Sequence, residues 1–403
     1  MLKESRDVFM NKKLEAVIIT AIIIMLVGWG KYIIPIKLEI SDTQVVEVIG
    51  LDSAENGDVS LSLLFEPLRD EQDEGPKEKV LTVTGNSFIG TEKGIQNYED
   101  KIFIGSHVKA IVVGENLLKN DLIRAIDYIS KNNEFRLDSK IYVAKESTAS
   151  ELFNEGIDND YILSNRIDTL SLTDKGEREV RNLEIVNIVR LLLSEEKSGV
   201  IPCIQIVENG DQQLADYVIN SSKEEKKRVE LAGYAVIKDA KLIGYLGNVE
   251  SLGYDFIRNL ISEEGFKLVY GEEIVGINLT NSDAKIEYEF SGDTLNKVII
   301  NIDTINSILE TSSGKNLFAN DISVVEDLEN AYIKDIVEST IRYAQNVNVD
   351  FLEIGINLEL KHPYKWRKIK DNWNRIFSTI PIEVKVNSNI DEQYGLLSST
   401  GRS

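Results

Sequence analysis

Cysteine is nearly absent from this 403-residue sequence: Cys203 stands alone. One thiol excludes an intrachain disulfide and any multi-cysteine zinc or iron–sulfur centre. Histidine is almost as scarce, with only His107 and His362, which leaves little for imidazole chemistry. Six prolines exclude long proline-rich linkers. Positive charge is in deficit, with 45 Lys and Arg against 67 Asp and Glu and a formal net charge of −22. That balance excludes non-specific nucleic-acid binding, which neutralises phosphates with basic side chains. Also missing are a phosphate loop, a Gly-x-Ser-x-Gly elbow and a His-Glu-x-x-His helix. The glycines of GNSFIGTEKG (Gly85, Gly90, Gly94) have neither phosphate-loop nor dinucleotide-binding spacing. They predict a surface turn or strand bulge. No catalytic, cofactor-binding or metal-binding residue is identifiable in the sequence.

What is present begins with one apolar run. Ala16 to Gly30 carries no charge, but fifteen helical residues reach only about 22 Å, short of a roughly 30 Å hydrocarbon core. Beyond Lys31 the apolar character resumes through Ile36, and a lone lysine near a helix end can snorkel to the interface. Residues 14–36 are therefore expected to form an uncleaved membrane anchor, with Trp29 and Tyr32 at the membrane interface. The alternative, a cleaved signal peptide, lacks the small-residue cleavage site. Basic residues cluster in residues 1–13, which predicts a cytoplasmic amino end. Residues 1–36 hold five basic and three acidic side chains, leaving −24 on the rest of the chain.

With 42% hydrophobic residues the remainder can bury sizeable cores. Its pattern interleaves strands and helices and predicts a mixed α+β fold of several domains, with mixed sheets packed by helices. Strands at 44–50 and 59–65 read as a hairpin across the turn AENGD. A strand at 107–113 precedes a helix at 114–130, and Lys140–Ala144 precedes a capping box, Thr148-x-x-Glu151. Residues 37–207 are read as an N-terminal α/β region, 208–229 as a connecting segment and 230–403 as a C-terminal α+β domain. In the last of these, 231–237 and 241–246 predict a hairpin over the turn KDA. Strands are expected at 274–279, 286–290, 297–302, 350–360 and 382–386. The longest helix is expected at 323–344, with an apolar stripe of Val325, Leu328, Tyr332, Ile336, Val337 and Ile341.

Residues 361–375, KHPYKWRKIKDNWNR, depart from the acidic character of the rest. Trp366, Ile369, Trp373 and Ile376 recur at helical spacing and predict a core-facing stripe. His362-Pro363 predicts an extended strand exit. Lys361, Lys365, Arg367 and Lys370 form a basic face suited to an acidic partner or an anionic lipid surface.

The sequence resembles the Ger(x)C family, the C subunits of bacterial spore germinant receptors. The likeness rests on residues 106–129 and 135–153, and on a hairpin with Gly233, Ala235, Lys238, Lys241, Leu242, Gly244 and Leu246. It rests most on Asp350, Leu352, Gly355, His362, Pro363, Trp366, Trp373, Phe377, Val384, Val386, Ile390 and Gly395, in family order. The resemblance implies a non-enzymatic receptor subunit at the inner spore membrane, its domains on the outer side, assembled with integral-membrane A and B subunits and acting in assembly or signalling. Lys361, Lys365, Arg367 and Lys370 are the expected partner contacts. One departure is clear: members usually carry a lipobox cysteine after the apolar run, where this chain reads LVGWGKYI. A membrane-tethered envelope enzyme or adaptor unrelated to sporulation is the alternative reading.

Overall fold

In the computed structural model, the residues described are 18–25, 43–67, 78–98, 102–157, 161–170, 184–193, 197–208, 227–261, 264–314 and 317–393. The chain divides into two units, Met1–Gln44 and Val45–Ser403. In the first, residues 18–25 form a helix, α1, with exposed side chains. Among the described residues no helix is long and apolar enough to cross a membrane. The rest of the expected anchor, including Trp29 and Tyr32, lies outside the described residues.

The second unit is built on two sheets. Strands β1 (Thr43–Ser53), β2 (Val59–Phe65), β3 (Val80–Gly85), β4 (Ile102–Ile104), β5 (Ala110–Gly114), β6 (Lys140–Ala144), β7 (Ser198–Glu208), β8 (Lys227–Lys238) and β9 (Lys241–Leu246) form the first. Its order is β3-β2-β1-β5-β6-β7-β8-β9, with β4 also paired to β1. β1, β5, β6 and β7 run parallel, and β5 is buried throughout, as expected of a parallel strand covered on both faces. One face packs on α2 (Phe88–Tyr98), α3 (Glu115–Asn120), α4 (Leu122–Lys131) and α7 (Ile185–Leu193). The other packs on α5 (Ala149–Gly156) and α6 (Leu163–Thr169).

The second sheet has the order β10 (Glu264–Tyr270), β11 (Glu273–Ser291), β12 (Thr294–Thr311), β13 (Ile382–Gln393). Its core involves α8 (Asn248–Ile257), α9 (Ala319–Val347), α10 (Ile354–Lys361), α11 (Pro363–Ile369) and α12 (Trp373–Phe377). β13 joins β12 in parallel, after the helices have crossed over.

The expected hairpins form. β1 pairs with β2, and β8 pairs with β9 across Asp239 and Ala240, both at positive φ, the backbone of a tight two-residue turn. β7 and β8 pair antiparallel from Ser198↔Lys238 to Glu208↔Lys227. The first sheet is thus continuous across the boundary expected at 208–229, of which 209–226 lie outside the described residues.

Several expected elements differ. GNSFIGTEKG enters α2 instead of forming a bulge, because Ser87 Oγ accepts the Gly90 amide at 3.2 Å as an N-cap. The helix expected at 114–130 breaks at Asp121 (φ −154°) into α3 and α4. His107 lies in a 3-10 turn ahead of β5. The three short strands at 274–302 are parts of two long ones, β11 and β12, whose bulges interrupt the alternation. Residues 350–360 are not a strand: a turn leads into α10. The buried stripe of α9 contains Val325, Glu329, Ile333, Ile336, Val337, Thr340 and Ile341; Leu328 and Tyr332 are 36% and 38% exposed.

Candidate docking surface

The basic stretch is held by one buried carboxylate. Asp350, 3% exposed, accepts the backbone amides of Ile354 at 3.0 Å and Gly355 at 2.7 Å. It also accepts Trp373 Nε1 at 2.9 Å. Its side chain thus closes the first turn of α10 and pins α12, 23 residues away. Burial pushes its carboxyl above the ordinary aspartate range, against the pull of these three donors. Glu353 enters the helix at φ +61° and pairs with Arg258 at 2.5 Å.

The helices that follow are short. His362 ends α10 and Pro363 opens α11, where proline's missing N–H costs nothing. His362 therefore marks a helix junction and not a strand exit, and its ring sits edge-on to Tyr288 at 5.9 Å and Phe290 at 5.4 Å. Trp366 and Trp373 are both 3% exposed and meet edge-to-face at 5.2 Å. Ile369 and Ile376 pack against the same core. The expected core stripe is present, carried by two helices and a 3-10 turn (Lys370–Asn372).

The structure brings Lys361 and Lys365 to the same stretch of β11. Lys361 Nζ donates to the Ile286 carbonyl at 2.7 Å, and Lys365 Nζ lies 3.6 Å from the Phe290 ring centroid. Both partners are neutral groups, and each lysine is held in place. Lys368, by contrast, is neutralised by Asp293 at 2.6 Å. Arg367 is exposed, its guanidinium 5.6 Å from the Tyr364 ring. Lys370 lies in the 3-10 turn that follows. Two large apolar side chains protrude among these cations, Leu360 at 78% and Tyr364 at 79% exposure. Sequence periodicity offered no signal for them, because both lie off the core stripe.

Two further buried acids also lacked a sequence signal. Asp52, at the end of β1, accepts the amides of Ala149 at 2.8 Å and Ser150 at 3.1 Å. It caps α5 together with the Thr148/Glu151 capping box. Burial pushes its carboxyl up to about 6. Glu329, wholly buried in α9, is pushed up to about 7 by burial. Cys203 is buried in β7, and burial pushes its thiol up, away from the reactive thiolate.

These features define a mixed α+β protein in which buried Asp52 fastens a helix to the first sheet and buried Asp350 fastens two carboxyl-terminal helices, α10 and α12, to each other, with basic and apolar side chains exposed on α10 and α11. The chain belongs to the Ger(x)C family. The family described as "Spore germination protein N-terminal domain" matches residues 37–206, and "Spore germination B3/ GerAC like, C-terminal" matches 232–394. Spore germination protein KC of Bacillus subtilis (strain 168) is 23% identical over 401 residues, covering 94% of this chain and 95% of that protein. Spore germination protein B3 of the same organism is 22% identical, covering 82% and 86%. The crystal structure of the GerBC protein superposes with a TM-score of 0.54 at 15% identity, covering 85% of this chain and 96% of that one. It shares the fold.

Proposed function

We propose that this chain is the membrane-anchored, non-enzymatic C subunit of a spore germinant receptor. It assembles with integral-membrane A and B subunits and acts in receptor assembly or signalling. Its place is the inner spore membrane, the amino end cytoplasmic and the two sheets on the outer side. The observation that carries this reading is the match of both halves of the chain, in order, to families of spore germination proteins. Residues 14–36 are the anchor. They replace the lipid of relatives that carry a lipobox cysteine, since the only cysteine here lies in β7. Deleting 14–36 is expected to move the protein from the membrane to the soluble fraction when it is expressed without partners. Continued sedimentation with membranes would refute the anchor.

The contact surface for the partners includes Lys361, Lys365, Arg367 and Lys370, with Leu360 and Tyr364 protruding from α10 and α11. Protruding aromatic and aliphatic side chains beside arginine are the composition of interaction hot spots. Lysines fixed by neutral groups lose less entropy on docking than free ones. Reversing two charges, Arg367→Glu with Lys370→Glu, is expected to lower recovery of the partner subunits about tenfold on co-purification. Circular dichroism should show an unchanged melting midpoint. Full recovery from a normally folded variant would remove this face from the assembly.

A further inference from the structure

A buried polar layer cuts the core of the second sheet in two. On one side of it α9 packs Ile333, Ile336 and Val337 with Ile300 and Ile302. On the other it packs Val325 with Ile277 and Ile308. Between them lies a row of hydroxyls in register across three strands: Ser282 opposite Thr304, and Thr304 opposite Ser388. Asn306 follows two residues along β12, on the same face, and Glu329 completes the layer from α9. Glu329 is 0% exposed, Asn306 1%, Thr304 2%, Ser282 7% and Ser388 7%.

The layer has more acceptors than donors. Thr304 Oγ1 lies 3.0 Å from Ser388 Oγ and 3.5 Å from Glu329 Oε1, and it accepts Asn306 Nδ2 at 2.9 Å. Glu329 Oε2, Asn306 Oδ1 and Ser282 Oγ have no protein partner. No basic side chain bonds to the Glu329 carboxylate among the described residues. Glu326, the acid that acts on Glu329 electrostatically, and the neighbouring Asn330 accept the β13 amides of Ile390 at 3.0 Å and Ser388 at 2.8 Å. An ionised carboxylate buried without a counter-charge is costly. A small cation takes oxygen ligands of this kind and would at the same time balance the carboxylate.

We propose that this layer binds one alkali-metal cation, held by the Glu329 carboxylate with Asn306 Oδ1 and the hydroxyls of Ser282, Thr304 and Ser388. One carboxylate balances one positive charge, and neutral oxygens supply the remaining ligands. A divalent ion beside this single carboxylate would leave one positive charge buried without a counter-charge. Because its ligands come from β11, β12, β13 and α9, the ion ties the helix to three strands and favours the folded state by mass action.

The test is thermal unfolding of the full chain in neutral detergent at about pH 8, in tetramethylammonium chloride, with sodium or potassium chloride substituted at constant ionic strength. The midpoint is expected to rise with sodium or potassium in a saturable way, by about 3 °C at a hundredfold excess over the dissociation constant. Glu329→Gln and Thr304→Val are expected to abolish the rise. Equal midpoints in all three salts for the unmodified chain would overturn the proposal and leave a proton as the balancing charge. So would a rise that persists in the folded Glu329→Gln protein, which would mark a general salt effect.

Discussion

Asp350→Ala is expected to destabilise the protein by about 3–5 kcal/mol, because it removes the shared acceptor of three buried hydrogen bonds. The substitution leaves the Ile354 and Gly355 amides and the Trp373 indole N–H buried without an acceptor, each such donor costing about 1–3 kcal/mol. The loss does not stay local. Without the carboxylate, α10 has no N-terminal cap and α12 no tie to it, so Trp366 and Trp373 lose the geometry of their contact. Because a domain holds only about 5–15 kcal/mol in total, the variant should populate unfolded forms near ambient temperature. Denaturant titration, followed by tryptophan fluorescence, measures the effect. Asp350→Asn keeps one acceptor oxygen and should recover part of the loss. Equal stability of Asp350→Ala and the unmodified protein would show that this carboxylate does not organise the helices.

Gly114→Ala is expected to cost about 2–4 kcal/mol, through overpacking and a displaced buried hydrogen-bond acceptor. A Cβ at Gly114 would lie 1.9 Å from Asp52 Oδ1. That oxygen receives the Ala149 amide, so relief of the clash unseats the first turn of α5. Gly94→Ala is the control. Nothing lies within 4 Å of the added methyl, and in a helix the change should stabilise by about 0.5–1 kcal/mol. The Asp52 contact also carries a pH signature. Its carboxyl is raised from 3.8 to about 6, so the folded state holds the proton more tightly than the unfolded chain does. Stability is greatest below the unfolded value and falls as pH rises through the folded one, by about 3 kcal/mol in all. Asp52→Asn should flatten that fall. Urea titrations at a series of pH values, compared between the two proteins, decide it.

The parts legible in the sequence were those set by local chemistry. The KDA turn, the Thr148 capping box and the hairpin around AENGD each declare themselves within a few residues. The core stripe of the tryptophans was likewise readable from spacing alone. Residues 350–360 misled because Phe351, Leu352, Ile354 and Ile356 crowd together as in a strand. The helix there depends on Asp350 meeting Trp373, a contact no local window contains. The stripe of α9 was misplaced for a related reason. Glu329 occupies a buried position that hydrophobic periodicity reserves for an apolar residue, so periodicity points to Leu328 and Tyr332 instead. Of the residues that carry the family resemblance, Asp350, Gly355 and Trp373 are three points of one cap. On the basic face the sequence showed the charges but not their anchoring. That Lys361 and Lys365 rest on a carbonyl and a ring follows only from where β11 passes.

On the proposed function, this scaffold turns the basic and apolar side chains of α10 and α11 toward membrane-embedded partners. The most direct measurement replaces Tyr364 with a photo-crosslinking amino acid in the full chain, in spores, and identifies the adducts by mass. Adducts with multi-span membrane subunits are predicted from position 364, and none from a probe at Ile123, an exposed residue of α4. Equal adducts from both positions, or none with a membrane protein from position 364, would contradict the account.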